Sequence, residues 1–224
     1  MQKGKFIVID GTDGSGKGTQ SDMLINSLSS EGREVVKVEF PRHSQPSAWF
    51  VDEYLNGKFG TLADVGPYQA SIFYALDRYA AAAEIRNHLN AGSIVVADRY
   101  VTANLGHQGA KISDNMKRKE FYRWANNFEY NILNLPQPDL TIILHMPASV
   151  AQSLVDKKES REYIGGKKRD LHEGDLEHLQ AAEKVYLELV EQFGFTLIEC
   201  FADGVVLTRE QIQHKILENI KSVI

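Results

Sequence analysis

The chain has one cysteine, Cys200, in 224 residues, so it can form no intrachain disulfide. A disulfide-stapled scaffold is excluded, and the thiol economy fits a reducing compartment. Cys200 ends the apolar run from Phe195 and reads as a core residue. No apolar stretch approaches the roughly 20 residues that a membrane-spanning helix needs. There is no basic surplus: 25 Lys and Arg stand against 30 Asp and Glu, a net charge of −5. Bulk attraction to nucleic acid is therefore excluded. Any anionic ligand must be met by local arrangements of Lys, Arg and backbone N–H groups. The chain also lacks internal repeats, low-complexity segments and a domain linker. Its N-terminal apolar run leads straight into glycines, without the length or cleavage context of a signal peptide. These absences predict a soluble, cytoplasmic protein with one domain over residues 1–224, and neither nucleic acid nor membrane as partner.

What is present is an alternation. Short β-branched runs at Lys5–Asp10, Glu34–Phe40, Ser93–Asp98, Leu140–Met146 and Phe195–Cys200 have the length of fully buried strands. Between them lie helical spacings at Lys17–Ser30, Tyr68–Ala91, Lys117–Leu133, Ser149–Lys158, Asp175–Phe193 and Thr208–Val223. Gly32 and Gly92 fall where helices should end. The prolines at 136 and 138 mark a loop before the fourth strand. Alternating strand and helix predicts an α/β fold, a five-stranded parallel sheet with helices on both faces. The charged segment 159–173 contains Gly165-Gly166 and reads as a mobile loop.

The first strand runs into Asp10-Gly11-Thr12-Asp13-Gly14-Ser15-Gly16-Lys17-Gly18-Thr19. Gly11-x4-Gly16-Lys17 between a strand and a helix is the context of a phosphate-binding loop. Its glycines let the backbone curl so that N–H groups point inward, and the helix N-terminus favours an anion. Lys17 then reaches the outer phosphates of a nucleoside triphosphate. A plain glycine turn would leave the lysine at this spacing unexplained. The general motif has Ser or Thr after the lysine; here it is Gly18. The usual Mg²⁺ contact must then come from elsewhere, with Thr19 or a carboxylate acting through water as candidates.

Gly16-Lys17-Gly18-Thr19-Gln20 resembles the loop of nucleoside monophosphate kinases, adenylate kinase included. Further along come Phe40-Pro41-Arg42, Phe73-Tyr74-Ala75-Leu76-Asp77-Arg78 and Asp98-Arg99-Tyr100. With Asp13, this ordered set resembles the thymidylate kinase family over nearly the whole chain. The resemblance implies the three-layer P-loop NTPase fold with a lid at about 159–173. It implies ATP and Mg²⁺ as cofactors, nucleotides as small-molecule partners, and a homodimer joined through helices. The helix Pro67–Ala91, with Ala80–Ala83 permitting close approach, offers such a face. The implied reaction is in-line phosphorylation of dTMP to dTDP. The alternatives are a kinase for another nucleoside monophosphate such as dUMP, or a nucleotide-binding regulatory module without turnover.

In a parallel α/β sheet, ligands bind beyond the C-terminal ends of the strands, where residues 10–19, 40–42 and 98–100 all fall. ATP is expected on Gly11, Thr12, Asp13, Gly14, Ser15, Gly16, Lys17, Gly18 and Thr19. Arg42 and Arg99 can converge on one acceptor phosphate, since guanidinium forks suit phosphate. Each also has a plainer reading, Arg42 as a solvated loop residue and Arg99 in a structural ion pair. Tyr74 and Arg78 share a helix face. One of Phe73 and Tyr74 packs in the core, and the resemblance makes Tyr74 the aromatic against the base. Phe40, Asn104, His107 and Gln108 complete the expected dTMP site. Asp98 is a candidate for Mg²⁺, or else the cap of the next helix. Asp13 opposes phosphate by charge, so it should meet a sugar hydroxyl, metal-bound water or an arginine.

Two departures from the family stand out. His107 and His172 occupy places where the family commonly has tyrosine. The phosphate loop also lacks a basic residue between Asp13 and Lys17. In the bacterial-like subtype that charge comes from the lid, here Arg161, Lys167, Lys168 and Arg169, unless these form a solvated basic turn. The expected catalytic set is Asp13, Lys17, Arg42, Arg99 and Arg169, because phosphoryl transfer needs charge neutralisation and water exclusion.

Overall fold

A computed structural model describes residues 3–61, 64–155 and 176–224. Five parallel strands form the sheet: β1 (Phe6–Gly11), β2 (Val35–Glu39), β3 (Ile94–Asp98), β4 (Leu140–His145) and β5 (Thr196–Glu199), in the order β2-β3-β1-β4-β5. The side-chain alternation of a strand sorts the core into two layers. Ile7, Ile9, Ile94, Val96, Ile142 and Leu144 face one side, where α1 (Lys17–Ser30) and α8 (Arg209–Ile220) bring Leu24, Leu28, Ile212 and Ile216. Phe6, Val8, Val95 and Ala97 face the other, against Ala81, Ala82 and Ile85 of α3 (Pro67–Ala91). Beside them, Ile143 meets α5 (Asn115–Asn126) and α7 (Leu176–Phe193) through Phe121, Tyr122 and Leu189. Cys200 is buried in the first layer, and burial pushes its thiol up to about 12.

The structure corrects the expectation of five fully buried strands. Every residue of β1 is buried, but β2 and β5 are the sheet edges and are partly exposed. Three elements were not expected. A helix α2 (Trp49–Leu55) follows a short turn at Pro46–Ala48, and Val101–Ala103 (α4) continues as π-helical turns through Asn104–Gln108. A small hairpin pairs β6 (Phe201–Ala202) with β7 (Val205–Val206). The expected helix 117–133 starts earlier, at Asn115, because the Asp114 carboxylate accepts from the Lys117 N–H. It then widens into π-helical turns over Asn127–Ile132. The Ser149–Lys158 helix appears as α6 (Ala148–Val155). The expected lid, with Arg161, Lys167, Lys168, Arg169 and His172, lies outside the described residues.

The topology positions the site. β1 pairs with β3 on one side and β4 on the other, so the chain's direction of winding reverses at β1. That reversal opens a crevice beyond the strand ends. The loop after β1 and the ends of β2 and β3 border it.

Candidate active site

The loop after β1 is shaped by close backbone contact. Gly11 has φ 139°, and a Cβ there would lie 2.3 Å from the Leu144 carbonyl oxygen. Gly14 has φ 84°, and its Cβ would lie 2.3 Å from the Ala151 carbonyl oxygen of α6. Side chains are barred on both counts. The loop is thereby wedged between β4 and α6. Lys17 begins α1, is almost fully buried, and donates to the Thr12 carbonyl at 2.8 Å. Its Nζ lies 3.8 Å from the Asp13 carboxylate. Burial, then the nearby Arg99, lowers the Lys17 pKa to about 8, against the pull of Asp13, Asp98 and Asp10.

Arg99 crosses from the end of β3 to the loop. It has φ 66°, a conformation that a residue with a side chain adopts rarely and that clusters at functional sites. Its guanidinium donates to the Asp13 carboxylate and lies 3.3 Å from His107 Nε2. Burial alone would raise the Asp13 pKa, but Arg99 and Lys17 outweigh it and hold the carboxyl well below its ordinary value. Asp13 therefore meets an arginine, one of the three partners expected of it. Arg99 is both in an ion pair and at the mouth of the loop. Burial also holds His107 near a pKa of about 3, so it is neutral at physiological pH. Its ring stacks on His178 of α7, centroids 5.9 Å apart, and meets Tyr186 edge-on at 5.8 Å.

Asp98 and Gly18 are neighbours: a Cβ on Gly18 would lie 3.1 Å from Asp98 Oδ2. Asp98 Oδ1 is buried and has no hydrogen-bond partner among the described residues. Thr19, the other metal candidate, is exposed on α1. Ser15 Oγ and Gln108 Oε1 are likewise buried without a partner among the described residues.

The acceptor side is built by α3 and the turn after β2. Arg42 is not a free loop residue. Its backbone N–H donates to Asp77 Oδ2 at 2.7 Å, its Nε to Asp77 Oδ1 at 3.1 Å, and its Nη2 to Ser47 Oγ at 2.9 Å. Asp77 is fully buried, so α3 fixes this arginine rigidly. Phe40 is buried against Tyr100, with ring centroids 5.7 Å apart. Phe73 stacks on Phe50 of α2 at 5.5 Å, which makes it the packing member of its pair. Tyr74 is half-buried and meets Tyr54 edge-on at 6.4 Å. Arg78, on the same helix face as Tyr74, is 1% exposed and donates to Glu129 through Nε and Nη2.

The thymidylate kinase family model matches residues 9–200. The chain belongs to the thymidylate kinase family. A thymidylate kinase of Mycobacterium tuberculosis (strain ATCC 25618 / H37Rv) is 33% identical over 188 residues, covering 84% of this chain and 86% of that protein. One from Clavibacter michiganensis subsp. michiganensis is 30% identical over 173 residues, covering 76% and 77%. A solved thymidylate kinase from Candida albicans superposes with a TM-score of 0.74 at 22% identity, over 98% of this chain and 92% of that one, which shows the shared fold.

Sequence reasoning missed three groups here. Asp77 stood beside the singled-out Arg78, but only the fold reveals its grip on Arg42. Glu129 carried no local signal. Tyr186 donates to Asp10 Oδ1 at 2.9 Å, tying α7 to the loop's first residue. Burial raises the Asp10 pKa despite Arg99 and Lys17.

Proposed function

We propose that the chain transfers the γ-phosphoryl group of ATP to dTMP, giving ADP and dTDP. The observation that carries this is the meeting of Lys17, Asp13 and Arg99 at the ends of β1 and β3, with the Arg42–Asp77 unit following the end of β2, the strand paired with β3. One half suits a triphosphate and the other an acceptor phosphate.

The loop's inward N–H groups and Lys17 bind the β- and γ-phosphates. Arg42 and Arg99 grip the dTMP phosphate, whose oxygen is already ionised at neutral pH and attacks in line. No protein nucleophile or strong base is required. The residues position and neutralise. Tyr74 packs on the base and His107 lies toward the sugar, while Asn104 and Gln108 read the base edge. Asp13 aligns Arg99.

The residues fit Mg²⁺. Gly18 removes the usual hydroxyl, but the adjacent Asp98 offers a buried oxygen with no partner among the described residues. Asp98 would hold the ion, directly or through water. When bound, Mg²⁺ neutralises charge on the phosphates. Lid residues Arg161, Lys167, Lys168 and Arg169, with His172, supply the remaining charge and closure; Arg169 acts on the transferred group.

We also propose a homodimer through α3. Ile72, Leu76 and Tyr79 lie exposed along one side of that helix, with exposed Ala80 and Ala83 continuing the stripe. Among the described residues no helix is long and apolar enough to cross a membrane, and the activity is assigned to the cytoplasm. A coupled ADP-release assay tests the reading, with ATP, Mg²⁺ and separately dTMP, dUMP, UMP, CMP, AMP and GMP. Turnover with dTMP is expected. Turnover with another acceptor alone would replace the substrate. None, in protein that binds ATP, would make the chain a nucleotide-binding regulator.

A further inference from the structure

A cavity of about 410 Å³ opens at the end of the sheet opposite the glycine loop. Its walls are the residues leading into β1, the last turns of α3, and the chain from Tyr130 to Asp139 that leads into β4. The strands are parallel, so these walls gather at strand starts, whereas residues 10–19, 42 and 99 lie at strand ends. About 17 Å of β1 separates the two ends. The reaction proposed above uses nothing here.

Charge sets the cavity apart. Lys3, Lys5 and Arg86 line it, against one carboxylate, Asp139. In a chain of net charge −5 this is a local excess of two positive charges. Asp139 is already committed: its Oδ2 accepts from the Phe6 N–H at 2.8 Å and its Oδ1 from Lys5 Nζ at 3.3 Å. Lys3 and Arg86 have no carboxylate partner among the described residues. The carbonyls that end α3 would repel an anion, but they are taken. Leu89 accepts from the Gly4 N–H at 2.7 Å, and His88 from the Ser93 N–H at 3.0 Å.

The rim is fixed without a ligand. A Cβ on Gly4 would stand 1.9 Å from the Ser93 carbonyl oxygen, so the backbone between Lys3 and Lys5 is pressed onto the residue before β3. Arg86 Nη2 donates to the Asn134 carbonyl, which holds the guanidinium and spends only part of its five donors. Leu89, Tyr130 and Pro136 add apolar surface.

We infer that this cavity is a second small-molecule site, taking a phosphate monoester with a compact apolar portion. Such an ester carries close to two negative charges at neutral pH and three strong acceptor oxygens. That matches the charge excess and the donors of Lys3, Lys5 and Arg86. A monocarboxylate would leave one positive charge uncompensated. The volume is that of a small-molecule site, and an occupant would block neither nucleotide. The site does not depend on the kinase reading.

The probe is phenyl phosphate, titrated into the isotope-labelled full chain and followed by the backbone amide signals. Those of Gly4, Asn90, Asn134 and Gln137 should shift and saturate at millimolar probe, whatever happens at residues 11–19. Phenol, the ring without the charge, should move none of them. Succinate, a dianion with its charge on two separate carboxylates, should bind more weakly. Arg86→Gln should weaken the probe by about ten-fold and leave ATP binding unchanged. Lys3→Gln, at an exposed position, should also weaken it, and it carries the test should the Arg86 variant not fold. Equal binding by wild type and the folded variants overturns the inference. So do shifts confined to residues 11–19, no shifts at all, or succinate binding as tightly as phenyl phosphate.

Discussion

Asp98 lies against the backbone of Gly18, with its Oδ2 3.1 Å from where a Cβ would stand. The carboxylate at the end of the neighbouring strand β3 thus fills the space beside the residue after the loop lysine. A methyl group there would require Asp98 to give by a few tenths of an ångström. Gly18→Ala should lower kcat by roughly ten-fold and raise the Mg²⁺ concentration needed for half-maximal rate, because a small displacement at a positioning group is costly. Steady-state rates across a Mg²⁺ titration check this. An unchanged Mg²⁺ dependence would separate Asp98 from the metal.

Asp77 holds Arg42 through both carboxylate oxygens. An asparagine keeps one acceptor and loses the charge. Asp77→Asn should therefore release Arg42 and raise the KM for dTMP by about ten-fold, with the KM for ATP unaffected. Initial-rate kinetics in both substrates would expose the asymmetry, and equal changes in the two KM values would count against it.

Lys17 has its pKa lowered to about 8, mainly by burial. A bound triphosphate adds negative charge and returns the pKa toward its ordinary, higher value. Above pH 8 the free protein then carries fewer protons here than the complex. Binding should take up protons at pH 8.5 and none at this group at pH 7, and ATP affinity should fall as pH rises through 8. Calorimetry at pH 7 and 8.5, in buffers of different ionisation enthalpy, measures the uptake directly. Equal heats across buffers at pH 8.5 would refute it.

Gly106 packs flat on the Tyr186 ring, and a Cβ there would lie 2.5 Å from Cζ. Gly106→Ala must displace that ring and with it the hydrogen bond to Asp10. A loss of about 1–3 kcal/mol is expected, read as a lower midpoint in denaturant. Gly16→Ala makes the contrast, because nothing lies within 4 Å of a Cβ there. That variant should suffer only from its positive φ.

The parts of this molecule that were legible share one property: their signal is local. β1, β3 and β4 are continuous apolar runs because both faces are covered, and their positions hold to within a residue or so. β2 and β5 are also β-branched but carry Lys37, Glu39 and Glu199, and they lie at the edges, a fact of strand order that no single run contains. α2 is short and aromatic, and its pattern becomes helical only against Phe73. The Val101–Gln108 stretch is polar and glycine-bearing and lies outside the helical spacings of the sequence; burial against α7 makes it helical. In the site, residue types were readable but pairings were not. Asp13 and Arg99 are 86 positions apart, and Arg78 and Glu129 are 51 apart. An arginine that reads as a substrate contact can spend most of its guanidinium on a carboxylate from another helix.

The bond from Tyr186 to Asp10 spans 176 positions of chain. A protein being synthesised from its N-terminus makes the glycine loop early, yet the residue that steadies Asp10 emerges near the end. Nascent chains cut short before α7 would lack this anchor. Nucleotide binding should thus be gained late in translation, as a mark of near-complete assembly, and ATP can help fold only chains that are almost finished.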